Sequence, residues 1–229
     1  MLYVFSGLIF GMLIPYMARR FSKFMPATFA YALYRLIAPT KRVAKEKRQN
    51  NGKYQELMHK YLMRSIGWGI VSAALTFAAH LCLPSDFYIA LIWILLLLYE
   101  IDERMFLLPD LLTVPLLIIG FVYAATLPFD AIYDCCTPAF NSAIGALVGY
   151  FLPVAASLFM VKKHPDAFGG GDIKLLSAVG AWIGFLNVPW LILISCVVFG
   201  AFCLAKRQRA GAFGPAIVIA TLILVFFFI

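Results

Sequence analysis

Charge is what this chain has least of. Only 13% of its 229 residues are charged and 63% are hydrophobic, with a mean hydropathy of +0.91. A soluble domain carries charge on about a quarter of its residues, so a soluble globular fold is excluded. The five cysteines form no CxxC pair, which excludes a zinc ribbon and a dithiol redox motif. Cys196 and Cys203 lie in apolar sequence and read as small core residues, while Cys135 and Cys136 fall in a polar loop. His59, His80 and His164 share no ligand spacing, so no metal site is expected. The apolar runs do not alternate, which excludes barrel strands and leaves helices as the spanning elements. The net charge of +8 could suggest a nucleic-acid partner. Its distribution follows membrane topology instead, and no nucleic acid is expected.

What is present is a series of eight apolar runs, at residues 1–18, 65–83, 87–101, 111–127, 142–161, 173–186, 190–205 and 210–229. They predict an all-α polytopic membrane protein with about eight transmembrane helices and both termini on the outer, periplasmic side. Arg19, Arg20 and Lys23 follow the first run rather than precede it, which predicts a retained helix with its N-terminus outside. Residues 19–64 hold twelve of the nineteen basic residues. Within them, 24–38 is aromatic and amphipathic and is expected to lie on the membrane surface. Residues 41–53 are expected to form a solvated basic loop facing anionic lipid. With this topology every Lys and Arg falls on the cytoplasmic side, and the outer loops carry Asp86, Asp130 and Asp134. The chain divides into residues 1–64, a first helix plus basic cytoplasmic loop, and residues 65–229, a core of seven helices. Gly145 with Gly149, and Gly180 with Gly184, have the four-residue spacing suited to close helix contact.

The topology has a chemical consequence. Asp102 closes the third run and Asp172 opens the sixth, directly after Gly169-Gly170-Gly171. Both therefore sit at the same cytoplasmic depth, and a carboxylate beside hydrocarbon is functional by default. Two close carboxyls share a proton, so one acts as base and the other as acid. Such a pair can activate water against a peptide carbonyl without a metal or a covalent intermediate. Taken singly, each residue has a plainer reading. Asp172 would N-cap the sixth helix, and Asp102 would pair with Arg104. Asp110, after Pro109, is expected to N-cap the fourth helix. The glycines before Asp172 are expected to let a substrate backbone approach.

Three blocks carry a resemblance. They are Asp102-Glu103-Arg104-Met105-Phe106-Leu107-Leu108-Pro109-Asp110-Leu111-Leu112-Thr113-Val114-Pro115, Gly169-Gly170-Gly171-Asp172-Ile173-Lys174-Leu175-Leu176 continuing to Gly184, and Phe213-Gly214-Pro215. In this order they resemble the prepilin peptidases, the GxGD aspartic proteases of type IV pilus and type II secretion systems. The resemblance covers about residues 91–229. It implies a bacterial inner-membrane endopeptidase that removes the short basic leader of prepilins or pseudopilins at the cytoplasmic face. By position it makes Asp102 and Asp172 the catalytic pair, with Gly169, Gly171, Lys174, Pro109 and Asp110 in support. Glu100 and Glu103 then become candidate contacts for the basic leader, because a positive segment suits an acidic corner.

Many members also methylate the new N-terminus with S-adenosylmethionine and carry a four-cysteine zinc element in the first cytoplasmic loop. Here that loop has no cysteine, so zinc is not expected. Proteolysis needs no cofactor, and S-adenosylmethionine is expected only if methyl transfer is present. A presenilin-like protease would want Tyr-Asp at the first aspartate and Pro-Ala-Leu near the end, but the chain has Ile101-Asp102 and Gly214-Pro215-Ala216. The rival from another class is a small transporter or ion-binding membrane protein using the aspartates as proton or cation sites. It would need neither the Pro-Asp nor the Phe-Gly-Pro block.

Overall fold

In hydrocarbon a backbone must satisfy its own polar groups, and a helix does so within one segment. The computed structural model describes residues 1–24, 51–127, 137–160, 169–207 and 211–228, and each apolar run in them is an α-helix. In chain order these are α1 (Leu2–Phe24), α2 (Asn51–Cys82), α3 (Phe87–Met105), α4 (Asp110–Thr126), α5 (Pro138–Met160), α6 (Gly170–Ile183), α7 (Val188–Lys206) and α8 (Gly214–Phe228). No strand occurs among the described residues. The surface segment expected beyond Phe24, the basic loop up to residue 50, Asp130, Asp134, Cys135, Cys136, His164 and residues 166–168 lie outside them.

Among the described residues, four helices are long and apolar enough to cross a membrane, at Leu2–Phe21, Met58–Cys82, Pro138–Leu158 and Val188–Lys206. The protein is thus a multi-pass membrane protein. The helices α4, α6 and α8 have 17, 14 and 15 residues, fewer than the roughly 20 that span a hydrocarbon core unaided.

Two compact units divide after Pro84. The division expected after residue 64 instead falls inside α2, which runs unbroken through Arg64 and Ser65. It also begins at Asn51, so Lys53 is helical and not part of a loop. Its 32 residues span about 48 Å, well beyond the roughly 30 Å hydrocarbon thickness. Its packing explains why it stays with α1. A Cβ on Gly7 would lie 2.7 Å from Thr76 Oγ1, and one on Gly11 would lie 2.7 Å from Ser72 Cβ. Only glycine lets the two backbones come this close. Tyr3 stacks on His80 at 3.8 Å and the Arg19 guanidinium lies 4.3 Å from the Tyr61 ring, which ties the hairpin at both ends.

The second unit, Ser85–Ile229, is built around α6, which packs against α4, α5, α7 and α8. The small-residue spacing noted above does what it predicts for α5 and α6. A Cβ on Gly145 would collide with the Gly180 carbonyl oxygen, and one on Gly180 with that of Gly145. Hydrogen bonds pin the contact: Ser142 Oγ donates to Ala181 O at 2.7 Å and Ser177 Oγ to Ala146 O at 2.9 Å. On another face of α6, Trp182 Nε1 donates to Leu116 O of α4 at 2.9 Å. The helix α8 lies against α3, α6 and α7. Leu91, Ile92, Leu95, Leu98 and Ile101 of α3 are fully buried. These packed helices present the end of α3 and the starts of α6 and α8 at one end of the unit.

Candidate active site

Asp102 sits in the last turn of α3, with only 4% of its surface exposed. A carboxyl this buried needs a hydrogen-bond partner. It finds one in the backbone N–H of Gly214, which donates to Asp102 Oδ2 at 2.9 Å. Gly214 opens α8, so its N–H is one of those a helix leaves unpaired at its start, and the positive end of the helix dipole faces the carboxyl. The approach depends on glycine, because a Cβ there would lie 2.5 Å from Asp102 Oδ2.

Asp172 is half-buried in the first turn of α6. It is not the N-cap; Gly169 is, with an extended backbone at φ −68° and ψ 137°. The Gly169 carbonyl accepts the Asp172 N–H at 3.1 Å. The Asp172 carboxyl turns back to the Gly169 N–H, half of the reciprocal pattern that starts many helices. It also lies within electrostatic reach of Asp102. Two carboxyls far apart in sequence thus lie at one end of the unit within electrostatic reach of each other, each beside a backbone N–H. A pair so placed can share a proton, one carboxyl activating water and the other protonating an oxygen.

The surrounding residues settle several plainer readings. Asp102 does not pair with Arg104. Arg104 instead reaches back one turn to Glu100, with Nε donating to Oε1 at 2.7 Å, and Glu100 is fully buried. Burial and pairing withdraw Glu100 from contact with a leader peptide. Glu103 is partly exposed and lies 3.8 Å from Lys206 Nζ. Asp110 does not cap α4. Pro109 is the N-cap, and its carbonyl accepts the Leu112 and Thr113 N–H groups at 3.0 and 3.3 Å. Asp110 accepts Lys174 Nζ through both carboxyl oxygens, at 2.7 and 2.8 Å, and so links the start of α4 to α6. With 49% and 61% of the two side chains exposed, this link contributes about 0–1 kcal/mol, which makes it a positional tie more than a source of stability.

The glycine run also has a different reason from the one expected. A Cβ on Gly171 would lie 3.0 Å from Leu108 Cβ, so Gly171 accommodates the protein's own loop between α3 and α4. Gly170 has open space around it, and a Cβ on Gly169 would lie 3.1 Å from Asp172 Oδ2. No group of three metal-binding side chains occurs among the described residues. The sequence reading missed Gly214 as a contact. The Phe-Gly-Pro block drew attention to it, but nothing in one sequence says which carboxyl a backbone N–H will meet.

Comparison with known proteins is consistent with this geometry. The chain is similar to the prepilin leader peptidase/N-methyltransferase of Vibrio cholerae, with 29% identity over 75% of this chain and 68% of that one. It is similar to the proteins of the same name from Aeromonas hydrophila, at 33% identity over 67% of this chain and 48% of that one, and Dichelobacter nodosus, at 32% over 70% and 55%. It thus spans about half the length of the latter two. No solved structure matches. The model of the type IV leader peptidase family matches residues 89–204, which take in both α3 and α6 with their aspartates, and the chain therefore belongs to that family.

Proposed function

We propose that this protein is an aspartic endopeptidase of the bacterial inner membrane that cleaves the short basic leader from prepilins or pseudopilins. Asp102 and Asp172 are its catalytic pair. The observation that supports the reading is that these two carboxyls lie within electrostatic reach of each other at one end of the second unit. Family membership and the relatives' names support it. In the reaction one aspartate takes a proton from water as the water attacks the scissile carbonyl, while the other gives its proton to the carbonyl oxygen; the first then passes its proton to the leaving amine nitrogen and the second takes one back from the gem-diol as the C–N bond breaks.

The proposed topology has eight spans, both termini outside and the site facing the cytoplasm. It is supported by the charge distribution, because it places all nineteen Lys and Arg on one side. Residues 65–229 supply the protease helices in this reading. Gly169, Gly171, Pro109, Asp110 and Lys174 hold the pair's surroundings in place, and Glu103 is the acid that remains for a basic leader.

A second activity follows from the relatives' names: methylation of the new N-terminus, with S-adenosylmethionine as donor and residues 1–64 as its seat. The mass of a cleaved product decides it, since one methyl group replacing a hydrogen adds about 14 mass units, that of a CH₂ group. The endopeptidase reading is tested by incubating the purified protein in liposomes with a peptide bearing a basic leader and an apolar continuation. Wild type should cleave once, at the end of the leader, and Asp102→Asn and Asp172→Asn should not. Cleavage by both variants would overturn it.

A further inference from the structure

Asp102 occupies the last turn of α3, where a helix runs out of partners for its carbonyls and frays. The turn is closed by the Phe106 N–H, which donates to the Asp102 carbonyl at 2.9 Å. That closure puts Phe106 in the left-handed region, at φ 54°. A residue with a Cβ is strained there, and glycine is the usual occupant of such a position. The backbone that carries Asp102 is therefore held by a cap that favours opening. Across the same turn, Arg104 Nε donates to Glu100 Oε1 at 2.7 Å. The ion pair thus spans the segment from residue 100 to residue 104, with Asp102 at its middle. Glu100 is fully buried, and 23% of the Arg104 side chain is exposed. A buried ion pair adds little net stability over apolar residues of similar size, so stability alone does not account for a charge placed here. Residues four apart share one face of a helix, whereas residues two apart lie about 200° apart around it. Asp102 accordingly points away from both members of the pair.

We propose that Glu100 and Arg104 are positioning residues: their ion pair braces the last turn of α3 against the strain at Phe106 and so holds the backbone of Asp102 in place. The inference rests on the endopeptidase reading of Asp102 and Asp172. The brace and the Gly214 bond divide the work. Gly214 fixes the direction of the carboxyl from outside the helix, and the pair fixes the turn from which the carboxyl projects. Without the pair the turn opens at Phe106, and Asp102 moves relative to both Gly214 and Asp172. A catalytic group displaced by about an ångström loses about 10²-fold in rate. Because the pair lies on the face turned from Asp102, its loss changes the rate of the chemical step and not the binding of the leader.

The test compares the full-length protein in liposomes with the double variant Glu100→Leu, Arg104→Ala, which removes the pair without leaving one charge buried alone. With a peptide bearing a basic leader, kcat should fall by about 10–10²-fold and KM should stay within about twofold. Amide hydrogen exchange of residues 103–106, read by mass spectrometry, should quicken, because local opening of the turn has become easier. The thermal midpoint in detergent should not fall. Arg104→Lys, which keeps the charge, should keep most of the rate. Phe106→Gly added to the double variant relieves the left-handed strain, and should slow the exchange and recover part of kcat. A lower thermal midpoint with kcat and exchange unchanged would make the pair a stabilising contact only, and a raised KM with kcat unchanged would make it a substrate contact. Either result overturns the proposal, as does a fall in kcat that Phe106→Gly leaves untouched. If cleavage survives Asp102→Asn and Asp172→Asn, the endopeptidase reading fails instead, and the exchange rates still decide whether the pair braces α3.

Discussion

The backbone N–H of Gly214 donates to Asp102 Oδ2 at 2.9 Å, joining positions 112 residues apart. The bond fixes which way the carboxyl points. It also leaves the carboxyl's other oxygen free of that contact, so it can turn toward Asp172. Because the donor opens α8, the position of Asp102 is tied to the packing of α8 on α3. The glycine is required by space: any side chain would begin 2.5 Å from Oδ2.

Gly214→Ala should therefore cost about 10²-fold in kcat, the scale expected when a catalytic group is displaced by about an ångström. Overpacking of this kind costs about 1–3 kcal/mol, so the protein should still insert. Gly200→Ala is the matched control, since nothing lies within 4 Å of a Cβ there. Steady-state cleavage with thermal unfolding in detergent checks both. Full activity in Gly214→Ala would show that the hydrogen bond does not matter.

Asp102→Asn and Asp172→Asn should each lower cleavage by about 10²–10⁴-fold, the range for loss of an acid–base group. The double variant should be little worse than either single one, because the two act as a unit. Single-turnover rates make the comparison. Additive losses would mean that the carboxyls work separately.

Asp110→Asn and Lys174→Met should each reduce activity only a few-fold, and the pair of changes together should cost no more than one alone. The reason is that an exposed ion pair contributes about 0–1 kcal/mol. A loss in Asp110→Asn equal to that in Asp172→Asn would move Asp110 into the chemistry.

Gly171→Ala should impair cleavage by pressing on Leu108, whose Cβ would lie 3.0 Å from the added methyl. Leu108→Gly made on that background should restore part of the rate, since it removes the Cβ that the added methyl meets. Rescue is read from the double-mutant cycle. An unaffected Gly171→Ala would show that the loop yields at no cost.

Gly145→Leu should unfold the second unit at a lower temperature, because its added atoms meet the Gly180 carbonyl across the α5–α6 contact. Overpacking predicts about 1–3 kcal/mol or more. Leu at Gly170, where a Cβ has open space, should leave the unfolding temperature unchanged.

Much of this was legible in one dimension. Scarce charge and long apolar runs determine a helical membrane protein, because hydrocarbon tolerates few other backbones. The spacing of Gly145, Gly149 and Gly180 predicts close helix contact, because glycine spacing is a local property of one helix face. The motifs around Asp102 and Asp172 single out two carboxyls for the same reason: an aspartate at the edge of an apolar run is costly wherever it folds.

The partners of those residues were not legible, because they depend on where other helices end. Asp110 reads as a cap in sequence, yet Lys174 takes it from 64 residues away. Glu100 reads as open to a leader, yet Arg104 and burial close it. Gly171 reads as room for substrate, yet Leu108 fills that room. Residues 51–64 read as a loop because their charge is high, yet they extend α2, where helix propagation adds one hydrogen bond per residue without a new nucleus. By itself the sequence determined the class of protein and the two aspartates. Only the packing of α3, α6 and α8 decided that they come within electrostatic reach of each other and which backbone N–H holds Asp102, because those relations are set by side-chain volumes at helix crossings.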